Sequence, residues 1–171
     1  MPSSFELSKG KQMASKIWTI NSQDSEVSFL VKKLGIFNVR GTIADFTGEV
    51  AFERSGPNQA HFNVCISQST LQTDSSKRDE DLKSQKFFYV SAHPKICFQS
   101  VSAKLGNGQF IATEDLTIVG VKKKVNIPFT FSNRVFKGQL EIQRPDHRLG
   151  KKFPAFIVGN TIQVSIHCKI K

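Results

Sequence analysis

His167 and Cys168 are neighbours, and an imidazole beside a thiol is a pairing able to hold a transition metal. The residues around them, Ile162, Val164, Ile166, Cys168 and Ile170, alternate as in a β-strand, whose successive side chains point to opposite faces. One ion cannot then take both groups. His61, His93 and His147 stand singly, which suits structural or surface imidazoles better than catalytic ones. Cys65, Cys97 and Cys168 are odd in number and lack C-x-x-C spacing, which argues against a disulfide scaffold or a zinc knuckle and predicts three free thiols. G-x-S-x-G, G-x-x-x-x-G-K-[ST], H-E-x-x-H and G-x-G-x-x-G are all missing. The expectation is a protein without catalytic residues, metal or cofactor.

Charge points to a class of partner. The chain carries 24 Lys and Arg against 14 Asp and Glu, a net +10, which favours anionic surfaces. Lys122-Lys123-Lys124 and Lys151-Lys152 are clustered, and between strands such lysines read as solvated turns or guards on sheet edges. No surface aromatics interleave with them as a base-stacking platform would require, so nucleic acid is not expected. No apolar run approaches the roughly 18 residues of a membrane helix. The opening MPSSFELSKGKQMASKIWTI has no apolar core of a secretory signal, so the expectation is cytoplasmic as written, or periplasmic if a signal was trimmed.

The elements that must position these residues follow from period-two alternation. Val27, Phe29 and Val31 alternate with Ser28 and Lys32, Phe46, Gly48, Val50 and Phe52 with Thr47, Glu49 and Glu53, and Phe62, Val64 and Ile66 with His61, Asn63 and Ser67. Ile96 and Phe98 continue the pattern, and the turn signal Gly106-Asn107-Gly108 leads into a strand with Phe110, Leu116 and Ile118. Val125, Ile127, Phe129 and Phe131 form one face, Phe136, Leu140 and Ile142 another. With the last strand this makes about eight half-buried strands, best satisfied by an all-β, eight-stranded antiparallel barrel. One short helix is expected within Asp74–Lys86, between strands 3 and 4, with Asp74 or Ser75 as N-cap. Residues 1–16 read as a flexible arm and 17–171 as one barrel domain.

Such a barrel is either filled by side chains or holds one slender ligand. Fifteen phenylalanines against one tyrosine and one tryptophan provide large apolar surfaces without hydrogen-bonding groups, compatible with a lumen for hydrocarbon or with a solid core. Phe87 and Phe88 directly follow the charged stretch SSKRDEDLKSQK. Adjacent rings point in different directions, so the pair needs apolar surroundings on two sides or an apolar guest.

The stretch WTINSQDSEVSFLVKKLGIFNVRGTIADFTGEVAFE resembles the opening of the YceI-like family. SKRDEDLKSQKFFYVSAHPKICFQS is similar to its second signature at Arg78, Asp79, Leu82, Phe87, Phe88, Val90, Pro94, Ile96, Phe98 and Ser100. DLTIVGVKKKVNIPFTF and GQLEIQRPDHRLG resemble the third and fourth. The resemblance implies an extended lipocalin-like barrel holding a long polyisoprenoid, isoprenoid quinone or fatty-acid-like amphiphile, with no chemistry done on it. It implies a lipid-binding lumen walled by Val27, Phe29, Val31, Phe46, Phe62 and Val64, together with Phe87, Phe88, Ile96, Phe98, Ile118 and Phe129. Arg78-Asp79 is expected to fix its loop by local pairing. Asp24, Lys33, Tyr89 and the His147–Gly150 turn depart from the family pattern, so no headgroup is implied.

The partners expected are thus a long-chain lipophilic ligand, peripheral contact with an anionic membrane and a second copy in a homodimer, with no nucleic acid. The alternative is an enzyme or protein-interaction module built on a filled barrel.

Overall fold

Ribbons with one wet and one dry face can hide the dry faces by closing into a cylinder. The computed structural model describes residues 16–171 and shows this closure. The chain runs through β1 (Ile17–Thr19), β2 (Glu26–Lys33), β3 (Phe37–Ala51) and β4 (His61–Gln72) to a helix, α1 (Ser76–Lys83). It continues as β5 (Lys95–Ser100), β6 (Ala103–Gly106), β7 (Gln109–Ile118), β8 (Val121–Ser132), β9 (Val135–Gln143) and β10 (Val158–Lys169). Strands β2, β3, β4, β5, β7, β8, β9 and β10 pair antiparallel in that order, and β10 returns to β2. The result is a closed eight-stranded antiparallel barrel. β1 extends the sheet beside β3, and β6 makes a hairpin with β7 through Asn107 and Gly108, both at positive φ. The arm expected over residues 1–16 lies, apart from Lys16, outside the described residues.

Register carries the apolar sets inward. Val27, Phe29 and Val31 stand opposite Ile43, Gly41 and Val39, while Phe46 and Val50 stand opposite Ile66 and Phe62. The fifteen-residue β3 pairs with β2 over its first half and with β4 mainly over its second. Asp45, at φ 62°, sits where the β3–β4 register shifts, and that bend lets one strand serve both neighbours. Gly41 is required beneath Phe29, because a Cβ there would collide with the ring.

Helix α1 is shorter than Asp74–Lys86. Ser75 caps it, its hydroxyl accepting from the Arg78 amide at 3.2 Å. Beyond Lys83 the chain reverses: Phe88 N–H donates to Leu82 O at 2.9 Å, and Tyr89 adopts φ 48°. Pulling the Phe87–Phe88 pair over the barrel ends the helix early.

The expectation of three free thiols is corrected. Cys65 and Cys97 are joined in a disulfide, and Cys168 alone is free and buried. Cys65 on β4 stands directly across from Cys97 on β5, so both side chains leave the wall on the same side. An odd count and spacing along the chain miss this neighbour, which only the pairing register brings together. Lys122–Lys124 also differ from expectation, since they lie within β8 rather than in a connection.

Candidate functional site

Val27, Phe29 and Val31 of β2 and Ile162, Val164 and Ile166 of β10 are only half-buried although they face the centre of a closed barrel. That combination requires a hollow. A cavity of about 380 Å³ occupies this space. All twelve residues assigned to the lumen line it: Val27, Phe29, Val31, Phe46, Phe62 and Val64, with Phe87, Phe88, Ile96, Phe98, Ile118 and Phe129. Val39, Ile43, Leu140, Leu149, Phe153 and Ile157 join them. Leu149, Phe153 and Ile157 lie in the β9–β10 connection, which has no strand periodicity to mark it.

One end of the barrel is packed solid. The Phe52 ring lies 5.0 Å from Phe110, 5.4 Å from Phe129 and Phe131, and 5.5 Å from Phe136, edge to face with each. Of these five rings only Phe129 and Phe136 also line the cavity. Lumen and solid core were rival readings of the phenylalanines, and each describes part of the barrel.

The other end is the mouth, framed by the β2–β3 turn, α1, the Phe87–Phe88 segment and the β9–β10 connection. The charged lining residues, Lys32, Lys33, Arg78, Asp81, Lys86 and Arg144, all belong to this frame. Lys86 faces Asp81 at 3.7 Å, and Arg78 bonds Asp74 at 2.7 Å. Asp79 accepts instead from the amide and hydroxyl of Thr73, at 2.8 and 2.6 Å. Local pairing therefore fixes the loop, although Arg78 and Asp79 do not pair with each other. Phe88 belongs to the buried core, whereas Phe87 is half-buried and stacks on Phe153 at 4.9 Å. Both rings line the cavity, so neither is purely core. Gly150, at φ 59°, leaves room for Phe87, since a Cβ would strike that ring.

Arg144 organises the mouth and went unrecognised in the sequence. It is 3% exposed, and its guanidinium donates to the carbonyls of Leu149, Gly150, Phe153, Val158 and Gly159 and to Asn160 Oδ1, at 2.6–3.2 Å. A planar five-donor fork suits a loop that must curl around one point. Its neighbour His147 is 1% exposed, with Nδ1 3.1 Å from Val121 O. Burial holds its pKa below the ordinary 6.5, and the neutral ring then donates to that carbonyl. Within the lining, Cys168 has its pKa pushed up to about 12 by desolvation, which makes it an inert apolar surface. His167 is exposed on the opposite face of β10. Among the described residues no three His, Cys, Asp or Glu side chains cluster as metal ligands would.

A family model described as the YceI-like domain matches residues 18–170. Among curated proteins, a UPF0312 protein of Pectobacterium atrosepticum is 33% identical over 105 residues, which is 61% of this chain and 55% of that protein. Protein YceI of Salmonella arizonae is 32% identical over the same shares. The alignments thus span little more than half the length of these relatives. Burkholderia cenocepacia BcnA superposes with a TM-score of 0.80 at 20% identity, covering 87% of this chain and 98% of that one. A polyisoprenoid binding domain from Saccharophagus degradans, implicated in plant cell wall breakdown, gives 0.66 at 13% identity over 90% and 97%. At these identities the superpositions establish the shared barrel, and the family match over nearly the whole described chain establishes descent: the protein belongs to the YceI-like family.

Proposed function

We propose that this chain is a non-catalytic binding protein that sheathes the hydrocarbon tail of one long-chain amphiphile, a polyisoprenoid or similar lipid, for sequestration or transport. The carrying observation is the apolar cavity whose charged lining groups are all gathered at its mouth. A tail entering past Lys33 and Lys86 leaves water for walls that offer no competing hydrogen bonds. Each Å² of apolar surface so removed contributes about 25 cal/mol, enough for a prenyl or acyl chain to outweigh its ordering cost. The polar head then remains beside the lysines. The polyisoprenoid binding named for the Saccharophagus relative is consistent with this reading.

Uptake of a fluorescent polyene fatty acid tests it, alongside organic extraction and native mass spectrometry of the purified protein. Val164 faces the cavity from β10, so Val164→Trp fills space a tail would need. Saturable uptake by the wild type, weakened about tenfold or more in the variant while the thermal midpoint stays near wild type, is expected. A wild-type protein that yields no guest and takes up no probe refutes the carrier reading and favours a barrel used as an enzyme or interaction module.

A further inference from the structure

The β2–β3 turn places apolar side chains in water. Leu34, Ile36 and Phe37 are 51%, 73% and 56% exposed. Phe156, in the β9–β10 connection, is 73% exposed. The two segments are tied together: the Leu34 amide donates to Ile157 O at 2.9 Å, and Lys33 pairs with Val158. Leu34 also holds φ 53°, a conformation unfavourable for a bulky side chain, without gaining burial in exchange. Val119 has a similar φ of 51°, but it packs against the core. Three other large exposed hydrophobics, Ile17, Val101 and Leu105, lie in or beside β1 and β6, away from this turn.

Within the two segments that carry these four residues the charge has one sign, although Asp81 of α1 and Asp146 lie elsewhere in the same mouth frame. Lys32 and Lys33 precede the turn, Lys151 and Lys152 precede Phe156, and all four lysines are exposed. Neither residues 32–40 nor residues 147–158 include an aspartate or glutamate. Exposed apolar tips ringed by lysines match a lipid surface carrying negative headgroups, where the lysines meet phosphate and the tips reach the acyl boundary. The same segments frame the cavity, since Lys32, Lys33, Phe153 and Ile157 line it.

We infer that the mouth end of the barrel docks on an anionic bilayer, with Leu34, Ile36, Phe37 and Phe156 entering the interface and the flanking lysines on the headgroups. This face opens the cavity directly onto the membrane. The inference adds to the carrier reading and stands on surface residues, so the two are tested apart.

Flotation with phosphatidylcholine vesicles, with and without phosphatidylglycerol, provides the test. Wild-type protein should float with the anionic vesicles, lose most binding at high salt, and ignore pure phosphatidylcholine. The double variant Ile36→Ser/Phe156→Ser and the double variant Lys151→Gln/Lys152→Gln, none of whose positions lines the cavity, should each lose about tenfold or more. Uptake of the soluble polyene probe should remain near wild type in both, showing an intact barrel and cavity. Absence of wild-type binding to anionic vesicles overturns the inference, as does undiminished binding by the apolar variant. A concentration-dependent dimer abolished by Ile36→Ser/Phe156→Ser, without vesicle binding, would instead assign this face to a second copy and overturn it equally.

Discussion

Cys65 of β4 and Cys97 of β5 face one another across adjacent strands, and a disulfide joins them outside the lumen. The bridge closes a segment of 32 residues that contains α1 and the Phe87–Phe88 turn. It therefore tethers one side of the mouth to the wall. In the loop-entropy account, closing 32 residues stabilises the fold by about 4 kcal/mol. Thiol titration of the denatured, unreduced protein should find one group, Cys168, and three after reduction. Reduction or Cys97→Ala should lower the denaturant midpoint accordingly. Three thiols before reduction would mean that the bridge does not form.

The two adjacent phenylalanines should separate by effect. Phe88 lies in the buried core, so Phe88→Ala should cost about 3–5 kcal/mol of unfolding free energy. Phe87 is half-buried and stacked on Phe153, so Phe87→Ala should cost less, about 1–2 kcal/mol, while clearly weakening probe uptake. Denaturant midpoints and probe titrations on both variants check the assignment. Equal stability losses with unchanged probe affinity in the folded fraction would contradict it.

Arg144 should tolerate no conservative replacement. Lysine keeps the charge but offers three donors in place of a planar fork that reaches six oxygens. Arg144→Lys should therefore destabilise by about 3 kcal/mol or more, because buried carbonyls lose partners. Limited proteolysis should show earlier cleavage within residues 145–157. Wild-type stability in the lysine variant would show that charge rather than geometry holds the connection.

The barrel was legible in the sequence because its strands have one wet and one dry face, which writes itself as alternation. Val27-Phe29-Val31 and Phe62-Val64-Ile66 identify wall residues with no further information. Three things escaped this reading. The first half of β3 hides its inward positions behind Gly41, whose side chain is absent because Phe29 occupies the space. The Cys65–Cys97 bridge depends on pairing register, which alternation within a single strand does not specify. The β9–β10 connection has no period at all, and Arg144 and His147 look like surface polar residues until the chain curls around them. Hollowness was also beyond alternation, since a filled and an empty barrel share one pattern. It depends on whether rings such as Phe52 meet across the axis, as they do at one end alone.

His147 gives the fold a pH dependence whose sign follows from its surroundings. The ring is buried in the 3-10 turn Arg144–His147 and bonds Val121 O, joining the mouth connection to β8. Desolvation is the largest influence on its pKa, and Lys123 acts the same way, while the Val121 bond and Asp146 oppose them. The net displacement is below 6.5, so the folded state resists a proton that the unfolded chain accepts near 6.5. The unfolded state therefore binds more protons between the two values, and stability falls as pH drops below about 6.5 until the folded ring also titrates. Above that value the contribution is complete. Denaturant midpoints measured between about pH 7.5 and 5 should decline for the wild type. His147→Gln, which can still donate to Val121 O but cannot titrate, should be less stable at the upper pH from imperfect packing and show a visibly flatter decline. Parallel curves for the two proteins would locate the pH sensitivity elsewhere and remove His147 from that role.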